Sequence, residues 1–291
     1  HDRGKGFTIV SGDDQLPEIV AYSDRGSYDV AHLPDGYKMF LELYSDMVDG
    51  LAQGQPSAMQ AVSQAQRRAQ TKAARPVVAP LLGDRMWNQY APFNNLCPMD
   101  GTNPTVTGCV ATALAQVFAY WRFPEALLVD IPAYTTYTKR LKVPAIASGE
   151  PYDWDRMLDI YEEGYYSQEE ADAVAKLMLH CGAALQMDYT SSSSGANIFL
   201  AKLTKYFGYD AETMQELERD HYSLEEWMDL LDAELQAKRP VLYSGSSSTV
   251  GHQFVCDGSD GDGLYHINWG WGGYQDGYFD ITLLNPDKGG A

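Results

Sequence analysis

Apolar and polar positions change their period several times along the chain. Near the start, "GFTIVSGD" and "PEIVAYSD" hold short β-branched and aromatic runs bounded by Gly, Asp and Pro, which predicts two short strands. In "DGYKMFLELYSDMVDGL" the large side chains Met39, Phe40, Leu43 and Met47 fall on one side at helical spacing. Helical spacing returns in the Ala-rich run after Cys109, over 168–181, near 196–207, and over 223–238, where Ser223 followed by Glu226 is a capping box. From residue 239 the period shortens. "RPVLYSG", "HQFVCDGSD", "LYHINWG" and "GYFDITLL" predict strands of an antiparallel sheet joined by Gly, Asp and Ser turns. A helical half followed by a β half predicts an α+β fold, with a cleft where the halves meet.

The stretch "LAQGQPSAMQAVSQAQRRAQTKAARP" interrupts this pattern. No acid occurs between Asp49 and Asp84, whereas Arg67, Arg68, Lys72 and Arg75 are basic. Its Ala and Gln allow a helix at about 60–73, but one with little to bury. Two readings stand: a connector exposed to proteases, or an ordinary surface helix. Ahead of it, a small α+β module of about 50 residues would be marginal alone and should dock on a partner surface. "TSSSSGAN" (190–197) predicts a mobile loop.

Charge narrows the partners. The chain of 291 residues carries 21 Lys and Arg against 40 Asp and Glu, net −19, which argues against nucleic acid and anionic membranes. No apolar run is long enough for a membrane span. An opening His1 with no signal-like apolar region predicts a processed or recombinant fragment. Four cysteines, Cys97, Cys109, Cys181 and Cys256, are too few for a disulfide scaffold and lack the paired spacing of a zinc site.

Cys109 stands apart, at the mouth of a helix in "VTGCVATALAQVFAYW". Thr107 is a fair N-cap and Gly108 allows close backbone approach. The unpaired N–H groups and dipole of the first turn favour a thiolate; a small buried filler is the other reading. A nucleophilic thiol needs a base, and the base an orienting partner. Of six histidines, His252 and His266 lie in the strand-rich half. His252 follows Gly251 at a strand start, where it can face a cleft, and Asn268 offers an amide two strands later. His252 lies about 140 residues after Cys109, within the window of papain-type thiol proteases, and Asn268 lies just past it. An oxyanion needs two donors. The Cys109 N–H is one, and Gln89 in "MWNQYAPFNNLCP" is the best-placed amide. Asn88 and Gln116 are rivals, Gln116 two turns too far along the helix.

These residues resemble the streptopain family of bacterial cysteine peptidases. The matching segments are "RPVVAPLL…WNQYAPFN" (75–94), "TGCVATALAQV" (107–117), "VGHQFVCDG" (250–258) and "HINWGWGGYQDGYF" (266–279), and the N-terminal stretch resembles the propeptide of such zymogens. The resemblance implies a papain-like, two-lobed α+β fold, a helical lobe plus an antiparallel β lobe, as a catalytic domain over 75–291. A small α+β prodomain with the basic connector would occupy 1–74 and be cleaved near Lys72–Arg75. It implies Cys109 as nucleophile, His252 as general base, Asn268 as the amide orienting it, Trp269 as the indole shielding that bond, and Gln89 as oxyanion donor. It further implies a reduced thiol with no cofactor or metal, and protein or peptide substrates, host proteins among them. The prodomain would be an intramolecular inhibitor and the enzyme would be secreted by a bacterium. Two departures stand out: Gln253 replaces a small residue after the histidine, and the chain stops at "LNPDKGGA" where relatives continue. Cys97, Cys181 and Cys256 are expected to be structural. Two rivals remain. Acyl transfer on the same residues would incorporate amines without net cleavage, and an inactive adhesin or inhibitor would be inert to thiol-directed epoxides.

Overall fold

The period-2 pattern near the C-terminus folds into a sheet, but with more strands than that stretch supplies. The computed structural model describes residues 6–26, 33, 35–55, 58–59, 75–246 and 251–281. In chain order the strands are β1 (Phe7–Val10), β2 (Ile19–Ser23), β3 (Val77–Val78), β4 (Met99–Asp100), β5 (Asn103–Pro104), β6 (Tyr134–Thr135), β7 (Lys142–Val143), β8 (Val241–Ser246), β9 (Gly251–Asp260), β10 (Leu264–Asn268) and β11 (Gly277–Asp280). The α-helices are α1 (Asp35–Ala52), α2 (Cys109–Trp121), α3 (Gln168–Ala184), α4 (Leu200–Phe207) and α5 (Leu224–Gln236). They form two units: one takes the chain up to Gly83, Leu217–Trp269 and the stretch from Tyr274, the other Asp84–Glu216 with Gly270–Gly273.

The first unit is built on one seven-stranded antiparallel sheet, order β1-β2-β11-β10-β9-β3, with β8 also on β9. The two strands at one edge, β1 and β2, come from the N-terminal segment. β2 lies along β11 with Tyr22 opposite Tyr278 and Ala21 opposite Phe279, and the Tyr22 and Tyr278 rings stack at 4.9 Å. The small module expected to dock thus adds its strands to the sheet edge, since two strands alone are marginal in water. Helix α1 buries Tyr37, Met39, Phe40, Leu43, Met47 and Leu51, the face its spacing predicted, and packs on β9. Phe40 meets Phe279 edge-on at 5.1 Å.

Helix α5 starts at the expected capping box, Ser223 accepting from the Glu226 N–H and Glu226 accepting from the Ser223 N–H. Three of its acids hold Arg75: Glu225 at 2.7 Å, Asp229 at 3.1 Å and Asp232 at 2.6 Å. The chain just past the connector is therefore fixed to this unit, and β3 follows at once, paired with β9.

In the second unit α2 is buried from Val110 to Ala119 and packs on α3, which has a capping box of its own at Ser167 and Glu170. Helix α3 runs on to Ala184, so Cys181 is inside it rather than at its end, and the helix near 196–207 begins only at Leu200. The serine-rich loop is not loose. The Ser194 hydroxyl donates to the Val106 carbonyl at 2.7 Å and accepts the Thr190 N–H at 3.0 Å, while Asp188 and Gly195 bridge across it. The helix expected at 60–73, the cleavage stretch up to residue 74 and the tail from 282 lie outside the described residues. No helix among the described residues is long and apolar enough to cross a membrane.

Candidate active site

In the second unit, Cys109 is the first residue of α2. The N-cap is Gly108, not Thr107, with φ +88° and ψ 142°. A side chain there would strain the backbone and bring its Cβ to 2.8 Å from the Ser194 carbonyl. Thr107 is occupied otherwise. Its hydroxyl pairs with that of Thr112 at 2.9 Å, and its N–H donates to the Gln89 carbonyl at 3.1 Å. That bond ties buried Gln89 to the mouth of α2. Around the same point the Gly272 N–H donates to the Trp87 carbonyl at 2.9 Å, and a Cβ on Gly270 would lie 3.1 Å from Thr112 Cγ2. Trp271 packs near Tyr90 at 6.2 Å. Gln116 is buried two turns along, its amide atoms without a partner among the described residues.

Exposure separates the thiols. Cys109 is half-buried, whereas Cys97, Cys181 and Cys256 are buried. Burial pushes Cys97 up to about 12 and raises Cys181 and Cys256 as well, which keeps all three as inert thiols.

In the first unit, His252 is the second residue of β9, opposite Gly245 of β8. It is 5% exposed, covered where the sequence suggested an open face. The cover is α1. A Cβ on Gly36 would come to 2.5 Å from His252 Cδ2 and 2.7 Å from Trp269 Cε3, so only glycine allows the helix this close. The His252 Nε2–H donates to the Trp269 carbonyl at 2.9 Å; a carbonyl can only accept, so Nε2 carries the proton. The Trp269 ring is fully buried, 6.1 Å from His252, 4.8 Å from Phe254 and 5.1 Å from Phe279. Asn268 ends β10, the next strand after β9 rather than two strands on, opposite Val255.

The structure thus brings Cys109 and Gln89 together in one unit, and His252, Asn268 and Trp269 in the other. It adds two residues that sequence reasoning missed. Gly36 looked like an ordinary helix position. Asp276 stood only as part of the matching segment 266–279, yet its carboxylate accepts the Trp269 N–H at 2.8 Å.

Comparison with known proteins gives the family. The family model described as the peptidase C10 family matches residues 87–279, and the one described as Spi protease inhibitor matches residues 1–48. Streptopain of Streptococcus pyogenes is 34% identical over 315 residues, covering 98% of this chain and 74% of that protein. The thiol protease/hemagglutinin PrtT of Porphyromonas gingivalis is 31% identical over 295 residues, again 98% of this chain, which spans only 34% of PrtT. Among solved structures, a prointerpain A fragment from Prevotella intermedia matches with TM-score 0.76 and 32% identity, over 97% of this chain and 88% of that one. Active wild-type interpain A from the same organism matches with TM-score 0.66 and 38% identity, over 75% of this chain and 90% of that one.

Proposed function

This chain belongs to the peptidase C10 family and is a cysteine-type peptidase zymogen with an inhibitor-like N-terminal segment; on that premise we propose that Cys109 is its nucleophile and His252 its general base. The thiolate attacks a peptide carbonyl, and the oxyanion is held by the Cys109 N–H and the Gln89 amide. His252 protonates the leaving amine, then draws a proton from water as the thioester is hydrolysed. Asn268 and Trp269 orient and shield the imidazole. Residues 1–74 are the prodomain, removed near Lys72–Arg75 by other copies of the enzyme. The substrates are proteins with an apolar residue two positions before the scissile bond, host proteins among them, met after secretion.

The observation that carries this reading is the seat of α1. The helix of the inhibitor-like segment lies on His252, whose Nε2–H is engaged by the Trp269 carbonyl. An imidazole covered in this way is held back from acid–base work. Further support comes from Cys109, half-buried at a helix start while its fellow thiols are sealed.

The test is the intact mass of the purified chain over time in reductant, beside Cys109→Ala. The expected wild-type result is loss of about 8 kDa, a quarter of the 32.3 kDa total, with the mutant unchanged. If both stay whole and added casein is also untouched, the proposal fails.

A further inference from the structure

We propose that Asp276 is a positioning residue of the peptidase site, holding the Trp269 peptide and through it the imidazole of His252. The inference rests on the assignment of His252 as general base.

Trp269 is gripped on both sides. Its N–H donates to Asp276 Oδ1 at 2.8 Å, and its carbonyl accepts His252 Nε2–H at 2.9 Å. Asp276 therefore fixes the residue whose carbonyl engages the imidazole in the zymogen and whose indole, 6.1 Å from the imidazole ring, still bears on it once that bond is given up. The next four residues, "GWGG", are mostly glycine, so few side chains can steady the segment that leaves Trp269. A carboxylate at its root adds an anchor to the Gly272 N–H bond with the Trp87 carbonyl, and a charged acceptor binds an N–H more strongly than a neutral one.

Asp276 is half-buried, removing a carboxylate from water is costly unless it is compensated, and its surroundings are built around charge. His266 of β10 donates from Nδ1 to Asp257 Oδ1 of β9 at 2.6 Å, and the Leu82 N–H donates to Asp257 Oδ2 at 2.9 Å. His266, Asp257 and Arg25 all act electrostatically on Asp276. Burial raises its pKa to about 7, partly offset by the Trp269 N–H and by His266. The prodomain sits over the same spot: the Ser23 hydroxyl at the end of β2 donates to the Asp276 carbonyl at 2.6 Å. Processing would remove Ser23 and Arg25 together, leaving Asp276 with His266 and Asp257.

The sign of the pH effect follows. As pH falls through the Asp276 pKa, the carboxylate takes a proton, becomes a weaker acceptor, and loosens its grip on Trp269. Asparagine keeps an acceptor oxygen but cannot titrate.

The experiment measures kcat and KM from pH 5 to 9 for wild type, Asp276→Ala and Asp276→Asn, each expressed as the full chain, activated with a trace of wild-type enzyme, and normalised to titrated active thiol. Misplacement of a catalytic group by about 1 Å costs up to 100-fold, so Ala should lower kcat by about 10- to 100-fold while KM changes less than about twofold. Asn should restore most of that loss near neutral pH, and its kcat relative to wild type should climb as pH falls. Unchanged kcat per active thiol in Ala overturns the proposal, as does an Asn profile parallel to wild type. If Ala fails to fold, the Asn profile decides alone. Wild type that cleaves nothing would sink the peptidase assignment and this inference with it; active wild type matched by Ala would sink this inference only.

Discussion

Around Cys109, the groups that fix the head of α2 are uncharged: the Gly108 cap, the paired hydroxyls of Thr107 and Thr112, the Gln89 carbonyl, and the serine loop bonded to Val106. Around His252, the supports are charged and partly borrowed. Asp276 holds Trp269, the Asp257–His266 pair acts on Asp276, α1 of the N-terminal segment covers His252, and β2 extends the sheet beside β11. The difference divides the labour. The supports around Cys109 all lie past residue 74, so the proposed processing would leave them in place. At the histidine end the cover, α1, belongs to the segment that the proposed processing would take away. Latency should therefore be sensitive to changes in α1, and the thiol end should respond chiefly through stability.

The largest effect is expected where the second unit has no slack. Gly108→Ala puts a Cβ on a residue at φ +88° and drives it towards the Ser194 carbonyl at 2.8 Å and the Met187 side chain at 2.9 Å. Backbone strain and overpacking together cost about 3–5 kcal/mol. Denaturant unfolding of the zymogen in a Cys109→Ala background measures this without self-processing. A loss under about 1 kcal/mol would mean that the cap relaxes freely and that the head of α2 is not rigidly held.

Next comes the borrowed support. Gly36→Ala forces α1 off His252 and Trp269, at a cost of about 2 kcal/mol, roughly a 30-fold shift toward the uncovered state. Self-processing should speed up by about that factor, while kcat of the processed enzyme stays unchanged because position 36 leaves with the prodomain. Unaltered processing would show that α1 does not restrain His252.

The two ends were not equally legible in the sequence. The thiol end is local: a Gly-Cys pair before an Ala-rich apolar run announces a buried helix with a cysteine at its mouth, and α2 begins at Cys109. The strands around His252 were legible too, from alternation and turn residues. What escaped was whatever depends on distant pairing. Ser23 meets Asp276 across 253 positions, and β2 joins β11 by edge addition, a match that neither strand's composition specifies. Gly36 passed for a helix residue because close approach to a ring from another segment has no local signature. Even near Cys109, the exchange of Thr107 for Gly108 as cap was hidden, since Thr107 found partners in Gln89 and Thr112 instead. The serine-rich loop looked loose for the same reason, its anchor at Val106 lying 88 residues away.

The smallest effect separates the two units by the sign of their pH response. In α3 of the second unit, His180 is buried, Nδ1 lying 2.9 Å from the Tyr152 hydroxyl. Burial first, then Lys176, lowers its pKa from 6.5 to about 4, with Glu150 opposing. Above pH 6.5 the ring is neutral folded or unfolded, and no penalty arises. As pH falls from there towards 4, the unfolded chain takes the proton before the folded one, so stability is lost. Asp276 in the first unit runs the other way. Its folded pKa of about 7 lies above the ordinary 3.8, so its contribution grows as pH falls through 7 and is lost as pH rises. Hydrogen exchange at pH 7.5 and 5.5, corrected for intrinsic rates and run on the Cys109→Ala zymogen, reads both units at once. Protection of α3 amides should drop by about tenfold at the lower pH, on the order of 1 kcal/mol, while β10 and β11 hold or gain. His180→Gln should remove most of the α3 slope and leave β10 and β11 alone. An α3 slope unchanged by that substitution would mean that acid sensitivity in this unit comes from other groups.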